Sequence, residues 1–244
     1  MDKNIPILYY HFVKSPNANT RIKGLYTNAV HFEWQIKQLI KKGFTFITFE
    51  DIVKKKYDET KRNVILTFDD GCESLYYNAF PILKKYGVKG VIYVVAKSIG
   101  DRNVVWPMNE NLDPLNILTK DQMLEMMEHG IEFGSHLCHH VHLPQLSIAE
   151  MTVELFESKK ILEKEFEKEV YSVAYPFGSY NSKVLEIAEQ TGYQYGVTTK
   201  SGNNLSTVNL ELFRIPVKGY ALRHFWYFIK TLNSITKNRN NPII

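Results

Sequence analysis

Seven short apolar runs, most of them separated by amphipathic helical stretches, constrain this chain more than any other feature. They are Ile5–His11, Phe44–Thr48, Val64–Phe68, Gly90–Val95, Val170–Ala174, Tyr195–Thr199 and Phe213–Val217. β-Branched and aromatic residues dominate them, as strands require. The intervening helices carry their own punctuation. Asn28 is placed to cap a helix over 28–42 that stops before Gly43. Leu75–Tyr86 reads as a helix broken at Pro81. Thr119–Gln122 and Ser147–Glu150 are capping boxes, and the helix after the second has a core-facing stripe of Leu155, Ile161, Leu162 and Phe166. Repeated strand–helix units predict a parallel sheet, here a barrel whose chemistry sits at the C-terminal strand ends. At 244 residues, a single domain over 1–244 is expected.

One run ends unusually. Val64-Ile-Leu-Thr-Phe is followed by Asp69-Asp70-Gly71, so a buried strand delivers two carboxylates to its own end. Neighbouring side chains on a strand point to opposite faces, which would let one acid hold a metal while the other acts as a base. Half of the eight histidines then fall within Gly134-Ser-His136-Leu-Cys138-His139-His140-Val-His142-Leu143. His136 and His140 are spaced so that one helical turn would put both on one face. Two imidazoles and a carboxylate make a zinc set with positions open to water and substrate. His136 with His139, three residues apart, is a competing pair, Cys138 could also ligate, and spacing does not choose.

Thr67-Phe-Asp-Asp-Gly71 followed by His136-x-x-x-His140 resembles the polysaccharide deacetylases of carbohydrate esterase family 4. The resemblance implies a distorted (β/α) barrel of about seven strands. It also implies Asp69 as catalytic base and Asp70, His136 and His140 as metal ligands. The family's His-Pro-x-Leu ending selects His140, although Val141 replaces the proline and Leu137 stands where Ser or Thr is usual. The third family motif, Arg-x-Pro-Tyr, is matched by Ala174-Tyr175-Pro176-Phe177, with no arginine. Arg214 is the candidate replacement, since a late strand could bring it beside Asp69. The Phe177 N–H maps onto the family's oxyanion donor, and Tyr175 and Pro176 are candidate substrate contacts. For the general acid, Leu222-Arg-His224 matches the family's Leu-x-His literally. His11 is the better structural match, because it ends an apolar strand, and it resembles the opening of a subgroup with circularly permuted motifs.

The remaining readings bound partners and location. A net charge of +4 with scattered lysines gives no support for nucleic-acid binding. The N-terminus lacks a basic region followed by an apolar stretch, so a cytoplasmic address is expected. Two cysteines, Cys72 and Cys138, do not make a disulfide framework, and both are expected as pocket-wall residues. The stretch Gly100–Leu118 is expected to be a substrate-side loop carrying Trp106, which could equally anchor it to the core. Tyr220–Leu232 reads as an aromatic, basic helix that could touch a membrane from one side. The function expected is metal-dependent removal of N-acetyl groups from an amino-sugar glycan or glycolipid, with Zn2+, or Co2+ or Ni2+, as cofactor. The alternatives are a deacetylase of a lipid-linked amino sugar and a sugar-binding protein that has lost catalysis. Oligomeric state is not legible.

Overall fold

Strands and helices alternate along residues 5–106, 113–202, 208–219, 221 and 223–237, which the computed structural model describes. In chain order these are β1 Ile7–Tyr10, α1 Ala29–Lys41, β2 Phe44–Phe46, α2 Phe49–Val53, β3 Arg62–Phe68, α3 Phe80–Tyr86, β4 Gly90–Val94 and α4 Lys120–Glu128. There follow β5 Ile131–Ser135, α5 Ile148–Phe166, β6 Ser172–Ala174, α6 Ser182–Gln190, β7 Tyr195–Val197, β8 Ile215–Pro216 and α7 Arg223–Lys237. The strands pair in parallel in the order β7-β6-β5-β4-β3-β1-β8, with β2 beside the start of β3. This is the expected distorted barrel, a curled sheet with seven strands on its continuous path.

Two apolar layers follow from the period-2 alternation of the strands. Leu8, Tyr10, Leu66 and Phe68 face outward onto Phe32, Ile36 and Leu39 of α1. Ile7, Ile65, Val91, Tyr93 and Tyr195 fill the barrel interior. Each such side chain contributes about 1.5–3 kcal/mol when fully buried.

β7 and β8 lie at opposite ends of the curled sheet, and the segment between them spans the gap. Leu212 bridges to Val197 of β7, and Ile215 then pairs with Leu8 of β1. Arg214 therefore sits where the chain crosses the opening of the barrel.

Several elements differ from expectation. Ile131–Ser135 is a full strand between β4 and β6 that the apolar runs did not reveal. The 75–86 helix is a π-turn over Leu75–Ala79 followed by α3, with Pro81 in the first turn of α3, where a missing N–H costs nothing. The Phe213–Val217 run pairs only at Ile215–Pro216. The aromatic helix runs over Arg223–Lys237. It packs Phe228 on Trp34 of α1 with ring centres 5.8 Å apart and exposes Trp226 and Tyr227. Pro107, Tyr220 and Leu222 lie outside the described residues. Among the described residues no helix is long and apolar enough to cross a membrane.

Candidate active site

β3 ends at Phe68, and the chain turns sharply one residue later. Asp70 and Gly71 both adopt left-handed backbone, at φ 75° and 65°. Aspartate tolerates that region better than most residues. The turn overrides the strand alternation, so both carboxylates are buried in the same pocket rather than on opposite faces.

Asp69 is gripped by Arg214. Nη1 donates to Oδ1 and Nη2 to Oδ2, each at 2.7 Å. The guanidinium is fully buried, with Nε donating to the Thr198 carbonyl and Nη1 also to Thr67 Oγ1. Its carbon lies 4.5 Å from the centre of the Tyr9 ring. Burial alone would push the Asp69 carboxyl up. The Arg214 charge and its hydrogen bonds, followed by His136 and His11, outweigh burial and hold Asp69 below its ordinary range. His11, at the end of β1, places Nε2 4.0 Å from Asp69 Oδ2.

Asp70 faces the histidines. His136 Nε2 and His140 Nε2 each lie 3.5 Å from Asp70 Oδ1, and all three ligand atoms fall within 4.8 Å of one another. Ligand bonds of about 2.0–2.2 Å at tetrahedral angles would separate ligand atoms by roughly 3.4 Å, so the set fits zinc. The His136 Nδ1–H donates to the Ala174 carbonyl at 2.8 Å. A carbonyl can only accept, so this bond fixes the tautomer and leaves the Nε2 lone pair directed toward Asp70. Burial pushes His140 down to about 4, which keeps it neutral at pH 7.

No helical turn joins the two histidines. β5 ends at Ser135, and Leu137 takes φ 68°, so a bent loop rather than a helix face brings His140 back beside His136. His139 points away from the cluster, its ring bonded to Glu154 and largely exposed. Cys138 is fully buried and outside the ligand set, and Cys72 is buried beside Ser74.

The other expected site residues divide. Phe177, at φ 60° in the short turn Pro176–Gly178, sets its ring against His140 (4.5 Å) and stacks on His142 (3.9 Å). Gly178 and Ser179 donate their N–H groups within that turn, whereas the Phe177 N–H has no partner among the described residues. Pro176 is buried and starts the turn. Trp106 is 6% exposed, stacks flat on His140 at 4.7 Å and donates from Nε1 to Ser98. It backs a candidate ligand rather than lining an open surface. The Tyr175 side chain lies elsewhere: it is 1% exposed, stacks on Tyr180, and donates to the Leu210 carbonyl. Strand alternation sends it to the helix side of the sheet. His224 is on α7, accepting from the Ala221 N–H, with Arg223, Lys218 and His31 as the charges acting on it. Sequence reading missed Glu154, Tyr9 and Thr198. Glu154 is a buried acid on a mostly apolar helix face, and its place among Met151, Leu155 and Leu162 was the available signal.

This geometry agrees with what known proteins resemble the chain. A sequence model of the polysaccharide deacetylase family matches residues 56–196. YxkH of Bacillus subtilis, named as a polysaccharide deacetylase, is 35% identical over 201 residues, covering 81% of this chain and 65% of its own length. This chain thus spans about two thirds of that relative. The poly-beta-1,6-N-acetyl-D-glucosamine N-deacetylase of Staphylococcus aureus is 31% identical over 231 residues, covering 86% of this chain and 76% of that protein. Among solved structures, the Streptococcus pyogenes deacetylase PplD in complex with acetate is 33% identical with a TM-score of 0.73, covering 88% of this chain and 92% of that one. A Bacillus cereus polysaccharide deacetylase superposes with a TM-score of 0.77 at 27% identity, covering 92% and 68%. The chain belongs to the polysaccharide deacetylase family.

Proposed function

We propose that the protein is a metal-dependent carbohydrate N-deacetylase that releases acetate from an N-acetylated amino-sugar glycan. The observation that carries this reading is the side-by-side placement of two carboxylates in opposite settings. Asp69 is clamped by a cation, and Asp70 faces two imidazoles.

Asp70, His136 and His140 would hold the metal, with zinc the first choice for this donor set and cobalt or nickel able to replace it. When bound, such an ion polarises a carbonyl and makes water a better nucleophile near neutral pH. The chain's own groups supply the rest. Asp69, kept ionised by Arg214, takes a proton from water as its oxygen attacks the acetyl carbon. The Phe177 N–H donates to the carbonyl oxygen as negative charge develops there. His11, in its protonated form, gives a proton to the sugar nitrogen as the C–N bond breaks. Acetate and a free amine leave, Asp69 gives up its proton and His11 takes one back, so that one net proton is released with the acetate.

The name of the S. aureus relative supports a β-1,6-linked N-acetylglucosamine polymer as the first substrate to try. The alanine at position 174 could have signalled a binder without catalysis, but Arg214 on Asp69 removes that motive. The test is acetate release from N-acetylglucosamine oligomers by zinc-loaded protein. Measurable turnover is expected on at least one linkage. Zinc bound with no acetate from any N-acetylated glycan would contradict the reading.

A further inference from the structure

The loop from His136 to His140 must hold two candidate ligands in register without the help of a helix. Its start is fixed by β5 pairing: the His136 N–H donates to the Val94 carbonyl, and the Leu137 N–H donates to Ser135 Oγ. The carbonyls of Leu137 and Cys138 accept from the N–H groups of Ala96 and Lys97, which lie just after β4. From the other side, α5 sends Glu154 into the loop. Its Oε2 accepts the His139 N–H at 2.9 Å, and its Oε1 accepts from His139 Nδ1 at 2.6 Å. Glu154 is 7% exposed, although it lies in a helix whose buried neighbours are mostly apolar. A carboxylate is costly to bury unless its hydrogen bonds are made. Here they are made to the residue immediately before His140.

We infer that Glu154 is a positioning residue for the metal site: it fixes the main chain at His139 and thereby sets where His140 points. This rests on the reading of Asp70, His136 and His140 as the metal ligands. The His139 ring is 54% exposed and its side chain contributes nothing to the ligand set. The bond to its backbone N–H is therefore the contact that matters. The Leu137 side chain is buried and apolar, so residue 137 ties the loop down through its backbone N–H and carbonyl alone. Outer-shell partners that bond a ligand directly are worth about 10–100-fold in metal affinity, and Glu154, acting through the main chain one residue before His140, has that range as its ceiling.

Reach and charge make different predictions, and two conservative variants separate them. Glu154→Gln keeps the length. Its carbonyl still accepts from the His139 N–H, and its amide can donate to Nδ1 of the other imidazole tautomer. Glu154→Asp keeps the charge but is one methylene too short to reach both donors. Zinc dissociation constants are measured by competition with a chromophoric chelator, and melting temperatures are measured on the zinc-free proteins. The positioning role predicts wild-type affinity for Glu154→Gln and weaker binding for Glu154→Asp, by up to about 10–100-fold, with little change in zinc-free melting. The reverse order, or wild-type zinc affinity in both variants, overturns it. A drop in zinc-free melting with zinc affinity of the folded protein unchanged overturns it as well, because Glu154 would then be structural only. Failure of the wild-type protein itself to bind zinc would instead defeat the reading of the metal ligands.

Discussion

Arg214 and Asp69 meet in a forked, doubly hydrogen-bonded pair inside the barrel, Asp69 just after β3 and Arg214 just before β8, the two strands that flank β1. Two parallel N–H···O bonds fix the carboxylate's plane as well as its charge. The segment leading into β8 thus brings a guanidinium to Asp69, which supports the proposal that Arg214 replaces the arginine absent from position 174. Ala174 keeps a separate task, since its carbonyl holds His136.

Removing that arginine should damage both stability and the pH profile. Arg214→Ala leaves a buried carboxylate unpaired, at a cost of about 3–5 kcal/mol by the usual measure for broken buried pairs. The sign of the pH effect follows from the depressed carboxyl. Its stabilising contribution is present above the unfolded value of about 3.9 and is lost as pH falls through the lower folded value. In Arg214→Ala the acid limb of the deacetylation rate should therefore move to higher pH. Arg214→Lys keeps a charge without the fork and should recover only part of the rate. An acid limb unmoved in Arg214→Ala would argue against the pair as the control on Asp69.

The two candidate general acids lie in different parts of the molecule, so a pair of alanine variants separates them. His11→Ala should lose about 10²–10⁴-fold in rate, the usual contribution of a positioned acid or base. His224→Ala, on α7, should leave turnover intact. Steady-state acetate release on one oligomer decides between them, and the opposite pattern would reassign the acid.

Zinc should stabilise the folded chain, because its ligands converge only there. At a free concentration of 100 times the dissociation constant the gain is about 2.7 kcal/mol. For a chain of this size that corresponds to a melting rise of roughly 5–10 °C. His136→Ala and Asp70→Asn should abolish the rise. Differential scanning fluorimetry with and without zinc checks this, and an undiminished rise in both variants would move the metal elsewhere.

Much of this candidate site is legible in the chain because its polar groups sit at strand ends, where an apolar run stops. Asp69, Asp70, His136 and His11 all follow that rule. β5 escaped notice for a related reason. In Ile131-Glu-Phe-Gly-Ser135 only the outward positions 131 and 133 are apolar, while Glu132 and Gly134 face the barrel interior beside Val91 and Tyr93. The His136–His140 geometry was hidden because it depends on a left-handed Leu137, which sequence spacing does not report. Tyr175 was misplaced by its motif, since its neighbours in sequence touch the site while its own side chain alternates away.

Glu132 supplies a test of the barrel interior that is independent of catalysis. Burial pushes its carboxyl up to about 7. The Glu50 N–H, which donates to Oε2 at 2.8 Å, and Thr48 oppose burial, while the nearby Glu50 and Asp51 charges reinforce it. Oε1 has no partner among the described residues. A carboxyl raised on folding favours the folded state least once pH exceeds the folded value, because the buried group must then ionise. Glu132→Gln should therefore melt higher than wild type at pH 8, by at most about 3 kcal/mol of stability, with a smaller difference at pH 5. Equal effects at both pH values would mean that the carboxyl does not titrate in this range.

The most direct measurement pairs zinc stoichiometry with acetate release in wild type and Asp69→Asn. One zinc per chain is expected in both proteins, with turnover falling by about 10²–10⁴-fold in the variant. Wild-type turnover by Asp69→Asn, or loss of its zinc, would contradict the division of labour between the two adjacent aspartates.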